Sequence, residues 1–170
     1  MEMQREEADS LRRAKQRDAA KVAAMLAVIQ AGGQAELTVT GVSMLPFLHP
    51  GRDSVILEAA DPQRLRVGDI VFFTRGAEVY VLHRIRRILK DGSFQICGDR
   101  QAWTERILPE QILARVSGVR RSGGRVISCD RASWRLASAL WFPTRPLRPA
   151  LFSAALRLRG LRKREESLRS

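Results

Sequence analysis

The clearest structural signal in the sequence is the stretch Arg86-Arg87-Ile88-Leu89-Lys90-Asp91-Gly92-Ser93-Phe94-Gln95-Ile96. Two short runs rich in apolar residues flank Asp91-Gly92, a dipeptide that favours the tight turn of a β-hairpin. Runs of the same kind, separated by glycine- and proline-containing turns, fill residues 37–129. The predicted strands are Leu37–Gly41, Ser54–Glu58, Asp69–Thr74, Glu78–Leu89, Ser93–Cys97, Ile112–Arg120 and Gly124–Cys129.

This pattern predicts a mainly β body, folded as a small coiled sheet or a partly closed barrel. Helices are predicted on both sides of it. Residues 10–31 contain no proline or glycine, Ser10 can cap the helix, and Gly32-Gly33 can end it. The chain becomes helical again after Asp130. We therefore expect an N-terminal helix in residues 1–35, a β-rich domain in residues 36–129 and an arginine-rich amphipathic tail in residues 130–170.

The positive charge of the chain is concentrated in this tail. Of the formal net charge of +12, +10 belongs to residues 120–170, where thirteen basic side chains accompany three acidic ones. Residues 131–164 combine arginine with leucine and tryptophan and contain no acid, a composition typical of a surface that lies on anionic lipid. A basic helix with a solvated face is the alternative interpretation. Nucleic acid is attracted by the same charge, but no other feature indicates it.

The sequence shows no export signal and no spanning segment. Acidic residues follow Met1 where a secretory signal has a basic start and an apolar block. The longest uncharged runs, residues 22–35 and 37–51, are shorter than the roughly 20 apolar residues of a spanning helix. Cys97 and Cys129 could pair with each other, but two buried thiols in an intracellular chain are the favoured interpretation. We expect a cytoplasmic protein that is peripheral at the inner face of the cell membrane.

The first candidate for chemistry is Ser43, which follows Gly41-Val42 at the exit from the first predicted strand. Pro46 stops the strand from continuing, so the serine lies at a sharp turn with its hydroxyl clear of the sheet, as a nucleophile requires. A turn of this composition also occurs without catalysis. The assignment therefore depends on a base and an acid elsewhere in the chain.

The candidate base is His83. Strand alternation places it on one face with Val79, Val81 and Ile85, and a histidine among aliphatic side chains is costly unless its ring nitrogens have partners. Its ordinary pKa suits a general base, although a hydrogen-bonded core histidine is the structural alternative. The second histidine, His49, lies in a Pro-Gly turn and is not favoured.

Two carboxylates could orient the His83 ring and stabilise its charged form. Asp99 follows Gly98 directly after the fifth predicted strand, and Glu105 lies six residues further on. Residue types alone do not decide between them.

Four motifs resemble, in order, the boxes of the signal peptidase I family: Gly41–Pro46, Arg66–Phe72, Val81–Ile85 and Gly98–Arg100. The resemblance spans roughly residues 37–120. It implies a β-rich catalytic domain, related to that of self-cleaving SOS-response repressors, and a serine endopeptidase that cleaves leader sequences after small residues. Bacterial members have a lysine base in the third box, whereas the endoplasmic reticulum and archaeal branch has a histidine.

By this resemblance Ser43 is the nucleophile, and His83 is the base of the histidine-containing branch. Asp99 matches the aspartate of the Gly-Asp box. Glu105 stands where those enzymes have another, often catalytic, aspartate, so the orienting acid stays open between Asp99 and Glu105.

The chain departs from the family in three places. Gly41 occupies the position of a hydroxyl residue that often helps to hold the oxyanion, which leaves the backbone N–H of Ser43, with Thr40 beside it, for this role. Arg52 replaces the aspartate that usually follows Gly51. The amino-terminal membrane helix of the family is not predicted here.

The sequence predicts a serine endopeptidase that cleaves a leader or precursor peptide with a Ser43/His83 centre and needs no cofactor or metal. The expected partners are a peptide or protein substrate and an anionic membrane surface contacted by residues 131–164. The alternative is a catalytically silent module of the same fold that uses its basic tail on anionic lipid or nucleic acid. Nucleic acid is the less favoured partner because residues 1–35 leave no room for a helix-turn-helix domain.

Overall fold

The structure is a computed structural model that describes residues 2–76 and 79–147. Two α-helices, eight β-strands and two 3₁₀ turns (Pro109–Gln111 and Phe142–Leu147) make up this part of the chain. In chain order the helices and strands are α1 (Glu2–Gln30), β1 (Ala35–Thr38), β2 (Ser54–Glu58), β3 (Ile70–Thr74), β4 (Tyr80–Ile88), β5 (Phe94–Cys97), β6 (Glu105–Ile107), β7 (Ile112–Arg120), β8 (Val126–Ser128) and α2 (Ala132–Trp141).

All eight strands belong to one antiparallel sheet with the order β1-β2-β7-β3-β4-β5-β6, and β8 pairs with β7 off this path. The prediction of a mainly β protein is confirmed. The sheet is not closed, so the partly closed barrel is wrong. Closure requires the strands at the two ends to pair with each other, whereas β1 and β6 each pair with a single neighbour in the described chain.

The predicted strands are present with small shifts at their ends. β2 and β7 have the predicted bounds, whereas β1 begins two residues earlier and ends three residues earlier than expected. β6 was not predicted, because three residues before Pro109 carry too little alternation to be recognised as a strand.

α1 begins earlier than predicted but ends close to the predicted residue. α1 begins at Glu2, so Ser10 is not its N-cap; no glycine or proline precedes Ser10 to stop the helix. Gly32 follows the end of α1 with φ +82°, a left-handed conformation that favours glycine, so the predicted stop is confirmed. Residues 148–170 of the predicted arginine-rich tail lie outside the described residues.

The sheet separates two apolar clusters. The larger one joins β2, β3 and β7 to α1 through Val22 and Ile29 and to α2 through Trp134. The smaller one lies on the other face and contains Val71, Phe73, Ile85, Phe94 and Ile96. Both helices therefore cover the face of the larger cluster.

Arg84 of β4 is fully buried, and its guanidinium links four parts of the fold. It forms a two-pronged ion pair with Asp99, with Nε–Oδ1 at 2.9 Å and Nη2–Oδ2 at 2.6 Å. Its Nη1 donates to the Gly68 carbonyl at 2.8 Å and to the Ser138 hydroxyl of α2 at 3.0 Å. The same group lies 4.8 Å from the centre of the Phe47 ring, where cation–π attraction adds to the pairing. Every guanidinium nitrogen thus has a partner, as a buried cation requires.

We expect Arg84→Met to lower the free energy of unfolding by about 3–5 kcal/mol, because it leaves the buried Asp99 carboxylate without its cation. Urea denaturation followed by circular dichroism measures the change. Arg120→Met is the matched control: Arg120 pairs with Glu36 at the surface, and its loss should cost about 0–1 kcal/mol. Equal costs for the two variants would contradict the role assigned to Arg84.

Candidate functional site

Ser43 lies in a turn-rich segment that is anchored in the core. Met44 and Leu48, on its C-terminal side, are buried in the larger cluster, and the Leu48 N–H donates to the Met44 carbonyl at 2.9 Å. The side chain of Arg121 donates to the Phe47 carbonyl at 2.9 Å. These contacts fix the backbone around the serine, while Ser43 itself is only partly buried.

The backbone of Ser43 is also held from the Gly98–Arg100 motif. The Arg100 N–H donates to the Ser43 carbonyl at 2.8 Å. A Cβ added at Gly98 would lie 2.7 Å from the same carbonyl oxygen, so only glycine fits at this position. Gly98 directly follows Cys97, which pairs with Arg84 in the sheet. The turn therefore brings Ser43 next to the part of β4 that contains His83.

Ser43 opens into a cleft of about 410 Å³. One wall is the segment from β1 to Met44, and the other consists of Phe72 and residues 80–82 of β4. Asp18, Lys21 and Val22 of α1 close a third side. Leu37 and Thr38 of β1 and residues 80–82 of β4 supply strand backbone to two sides of the cleft.

His83 is buried on the other side of β4, beside Phe73 of the smaller cluster. Its Nδ1 lies 2.9 Å from Glu105 Oε1. Because an ionised carboxylate only accepts hydrogen bonds, this contact places the ring proton on Nδ1 and leaves the lone pair of Nε2 available as a base. The Trp103 ring covers the imidazole edge-on, with ring centres 6.2 Å apart.

Glu105 is itself held by Arg75. The guanidinium donates from Nε at 2.7 Å and from Nη2 at 2.5 Å to the two carboxylate oxygens. Arg75 also lies 5.9 Å from the Trp103 ring centre. Arg75, Trp103 and Glu105 therefore form one supporting group around the His83 ring.

The pKa of His83 lies below its ordinary value of 6.5. Burial is the main cause, since an imidazolium loses its hydration inside the protein. The Arg75 charge acts in the same direction, while the charges of Glu105 and Asp99 and the hydrogen bond to Glu105 oppose it. The ring is therefore neutral at neutral pH, which is the state a general base needs.

The structure brings together some of the residues that the sequence singled out. Glu105 contacts His83, whereas Asp99 forms the ion pair with Arg84. In the part of the chain that the structure describes, the Ser43 hydroxyl has no hydrogen-bond partner, so no hydrogen bond joins it to the His83 ring.

His49 and Arg52, one of the residues at which the chain departs from the family pattern, lie in a turn with a structural role. The His49 N–H donates to the buried Asp53 carboxylate at 2.8 Å, and Arg52 and Arg121 both pair with that carboxylate. These contacts hold the pKa of Asp53 low despite its burial, which by itself raises the pKa. Asp53, the residue after Arg52, thus stabilises the turn.

Arg75 and Trp103 were not predicted as parts of the site. Trp103 lies two residues before Glu105, and an exposed tryptophan next to a candidate acid is a usable signal. Arg75 lies in an Arg-Gly turn 30 residues before Glu105, and nothing in its local sequence indicates the pairing.

No group of side chains suited to a metal ion occurs within residues 2–76 and 79–147. Cys97 and Cys129 are buried thiols that form no disulfide, and burial raises the pKa of the Cys129 thiol to about 12. None of the described helices is long and apolar enough to cross a membrane. Comparisons of the chain with models of protein families, with curated proteins and with solved structures found no match.

The free energy of unfolding is expected to fall as the pH is lowered from about 7 through the ordinary pKa of histidine. In this range the unfolded chain binds a proton at residue 83 that the folded chain does not bind. His83→Asn should remove this part of the pH dependence in urea denaturation at stepped pH, whereas His49→Asn should retain it. An unchanged slope in His83→Asn would contradict the assignment.

Substitutions around the ring should move the pKa of His83 in opposite directions. Glu105→Gln is expected to lower it further, because the carboxylate favours the imidazolium, and Arg75→Gln is expected to raise it, because the guanidinium opposes the imidazolium. Titration of the histidine ring by NMR measures both values, and the His49 resonance provides the internal reference. Shifts of the same sign would rule out the described electrostatics.

Proposed function

We propose that the chain is a serine endopeptidase that resembles signal peptidase I and cleaves a leader or precursor peptide. Ser43 is the nucleophile, His83 is the general base and Glu105 is the acid that orients it. The observation that carries the proposal is the contact between His83 Nδ1 and Glu105, on a strand whose preceding residues line the cleft of Ser43. A partnered histidine with a lowered pKa next to a cleft is a typical arrangement of a functional base.

The cleft suits a peptide in extended conformation. Residues 80–83 of β4 pair with β3, but pairing with β5 begins only at Arg84. The backbone N–H and carbonyl of Ile85 form hydrogen bonds with residues 68 and 69, just before β3. Backbone groups alternate in direction along a strand, so the N–H and carbonyl of Leu82, three residues earlier, point away from β3. In the proposal a substrate adds to this open edge as a further strand.

The reaction follows the general course of serine acyl transfer. His83 Nε2 takes the proton of the Ser43 hydroxyl while Oγ bonds to the carbonyl carbon of the scissile peptide. The C–N bond then breaks, and His83 gives the proton to the leaving nitrogen. Water, activated by the same ring nitrogen, cleaves the acyl ester and restores Ser43, while Glu105 stabilises the imidazolium in each half-reaction.

The oxyanion that develops on the scissile carbonyl requires hydrogen-bond donors near Ser43. The backbone N–H of Ser43 donates no hydrogen bond in the described ranges, and Thr40 lines the same cleft, so these two groups are the proposed donors. In the proposal the Ser43 hydroxyl comes within hydrogen-bond reach of Nε2 when a peptide enters, because general-base catalysis requires this contact.

The test uses a fluorophosphonate probe, which reacts with activated serines, and a peptide library whose cleavage is read by mass spectrometry. Ser43→Ala should abolish labelling and cleavage. His83→Ala should reduce the labelling rate by about 10²–10⁴-fold, because it removes the general base. Glu105→Gln should reduce it by a smaller factor and move the acid limb of the pH profile downward, in line with its effect on the His83 pKa.

Ser54→Ala is the matched control, since Ser54 is a partly buried serine of β2 away from His83 and should leave labelling unchanged. Labelling of Ser43→Ala at the wild-type rate would refute Ser43 as the nucleophile. Wild-type rates in His83→Ala would refute the base.

A catalytically silent peptide-binding module is the second candidate, and the missing hydrogen bond between Ser43 and His83 favours it. This candidate predicts that wild-type chain and Ser43→Ala bind library peptides equally and that neither reacts with the probe. Reaction of Ser43 with the probe excludes it.

A further inference from the structure

α2 is apolar on two opposite sides. Trp134 and Ser138 are buried one helical turn apart and pack the helix onto the body. Leu136 and Leu140, also one turn apart, face away from the body with 61% and 67% of their surface exposed. Among the described residues these are the two most exposed large apolar side chains. A helix that is hydrophobic all round is normally covered on all sides.

The exposed leucines belong to a larger apolar surface, which we call the α2 patch and define as Val67, Ala132, Leu136, Ala139 and Leu140. Val67 of the neighbouring turn is 44% exposed. Between this turn and α2 lies a mainly apolar groove of about 610 Å³ with Phe142 at its end. The α2 patch is therefore a ridge with an adjoining groove rather than a scatter of single side chains.

Positive charge borders the α2 patch. Arg66 and Arg131 are exposed; no hydrogen bond or ion pair engages the Arg131 guanidinium among the described residues, while the Arg66 charge helps to lower the pKa of Asp130. Arg135 of α2 pairs with Asp69 at 3.5 Å and with Asp130 at 3.8 Å. The acids on this side are already engaged: Asp69 is buried and accepts the Arg66 N–H at 2.8 Å, and Asp130 is paired with Arg115 at 2.8 Å. The free charge at the rim is therefore positive.

We propose that the α2 patch docks onto an anionic lipid surface. Exposed leucines that enter the interface, bordered by arginines that meet lipid phosphates, are the two components of peripheral membrane binding. Charge favours lipid over a second copy of this chain, because a symmetric contact through the α2 patch would bring the arginines of both copies together. The binding does not depend on peptidase activity.

α2 also packs against the segments around the candidate site. The rings of Trp134 and Trp141 contact Phe47, four residues after Ser43, with centres 5.5 and 6.2 Å away. Trp141 Nε1 donates to the Asp99 carbonyl at 2.7 Å, in the turn that holds the Ser43 backbone. α2 therefore contacts the segments that hold the Ser43 backbone.

The experiment measures sedimentation of the full chain with vesicles of phosphatidylcholine alone and of phosphatidylcholine with phosphatidylglycerol. Wild-type chain and Ser43→Ala should bind the anionic vesicles equally and bind the neutral vesicles weakly. Leu136→Glu/Leu140→Glu should reduce the partition coefficient at least about tenfold, because both side chains lose their apolar contact with lipid. Arg66→Glu/Arg131→Glu should weaken binding and reduce its dependence on salt.

Leu108→Glu/Ile88→Glu is the matched control. It introduces the same charge at two apolar side chains outside the α2 patch that are 50% and 43% exposed, and it should bind like wild type. Because all four substituted side chains are exposed, thermal unfolding should be little changed and verifies that each variant folds.

A dye gives an independent readout. The native cysteines are buried, so a polarity-sensitive thiol dye on Leu140→Cys labels position 140 selectively. Its emission should shift to the blue on anionic vesicles only. Wild-type binding by Leu136→Glu/Leu140→Glu would overturn the proposal in favour of another basic segment. If the wild-type chain self-associates without binding vesicles, and Leu136→Glu/Leu140→Glu abolishes this self-association, the α2 patch binds a second copy of the chain and the lipid proposal is overturned.

Discussion

The buried ion pair between Arg84 and Asp99 is the interaction on which the rest of the arrangement depends. A guanidinium that is cut off from water must find a partner for every N–H group, and here the partners come from the turn after β5, the turn before β3 and α2. The ring of Phe47 adds the segment that follows Ser43. One cation thus fixes the relative positions of elements that are far apart in the sequence.

Strand alternation makes the same ion pair relevant to the candidate site. His83 and Arg84 are neighbours on β4, so their side chains lie on opposite faces of the sheet. The arginine holds Asp99 on the side of α2, and the histidine meets Glu105 on the side of Phe73. The two carboxylates that the sequence left as alternatives therefore have separate partners, one in the scaffold and one at the imidazole.

The local patterns of the sequence predicted most of the strands because alternation and Asp-Gly or Pro-Gly turns are local signals. β6 and the true start of α1 were missed because they lack such local signals. β6 is too short to show alternation, and no glycine or proline marks a start of α1 near Ser10. The sequence left a coiled sheet and a partly closed barrel as alternatives, since closure depends on whether the end strands meet. Arg75 was missed because its partner Glu105 is reached only through the pairing of β3, β4, β5 and β6.

α1 is a single helix of 29 residues, from Glu2 to Gln30. Val22 and Ile29 are packed in the core, while Asp18 borders the cleft. At a rise of about 1.5 Å per residue, the helix carries its first residue roughly 24 Å beyond Asp18. The length of the helix therefore sets the distance between Ser43 and a label or fusion attached at Glu2. This makes α1 suitable for energy-transfer measurements of distance to the cleft.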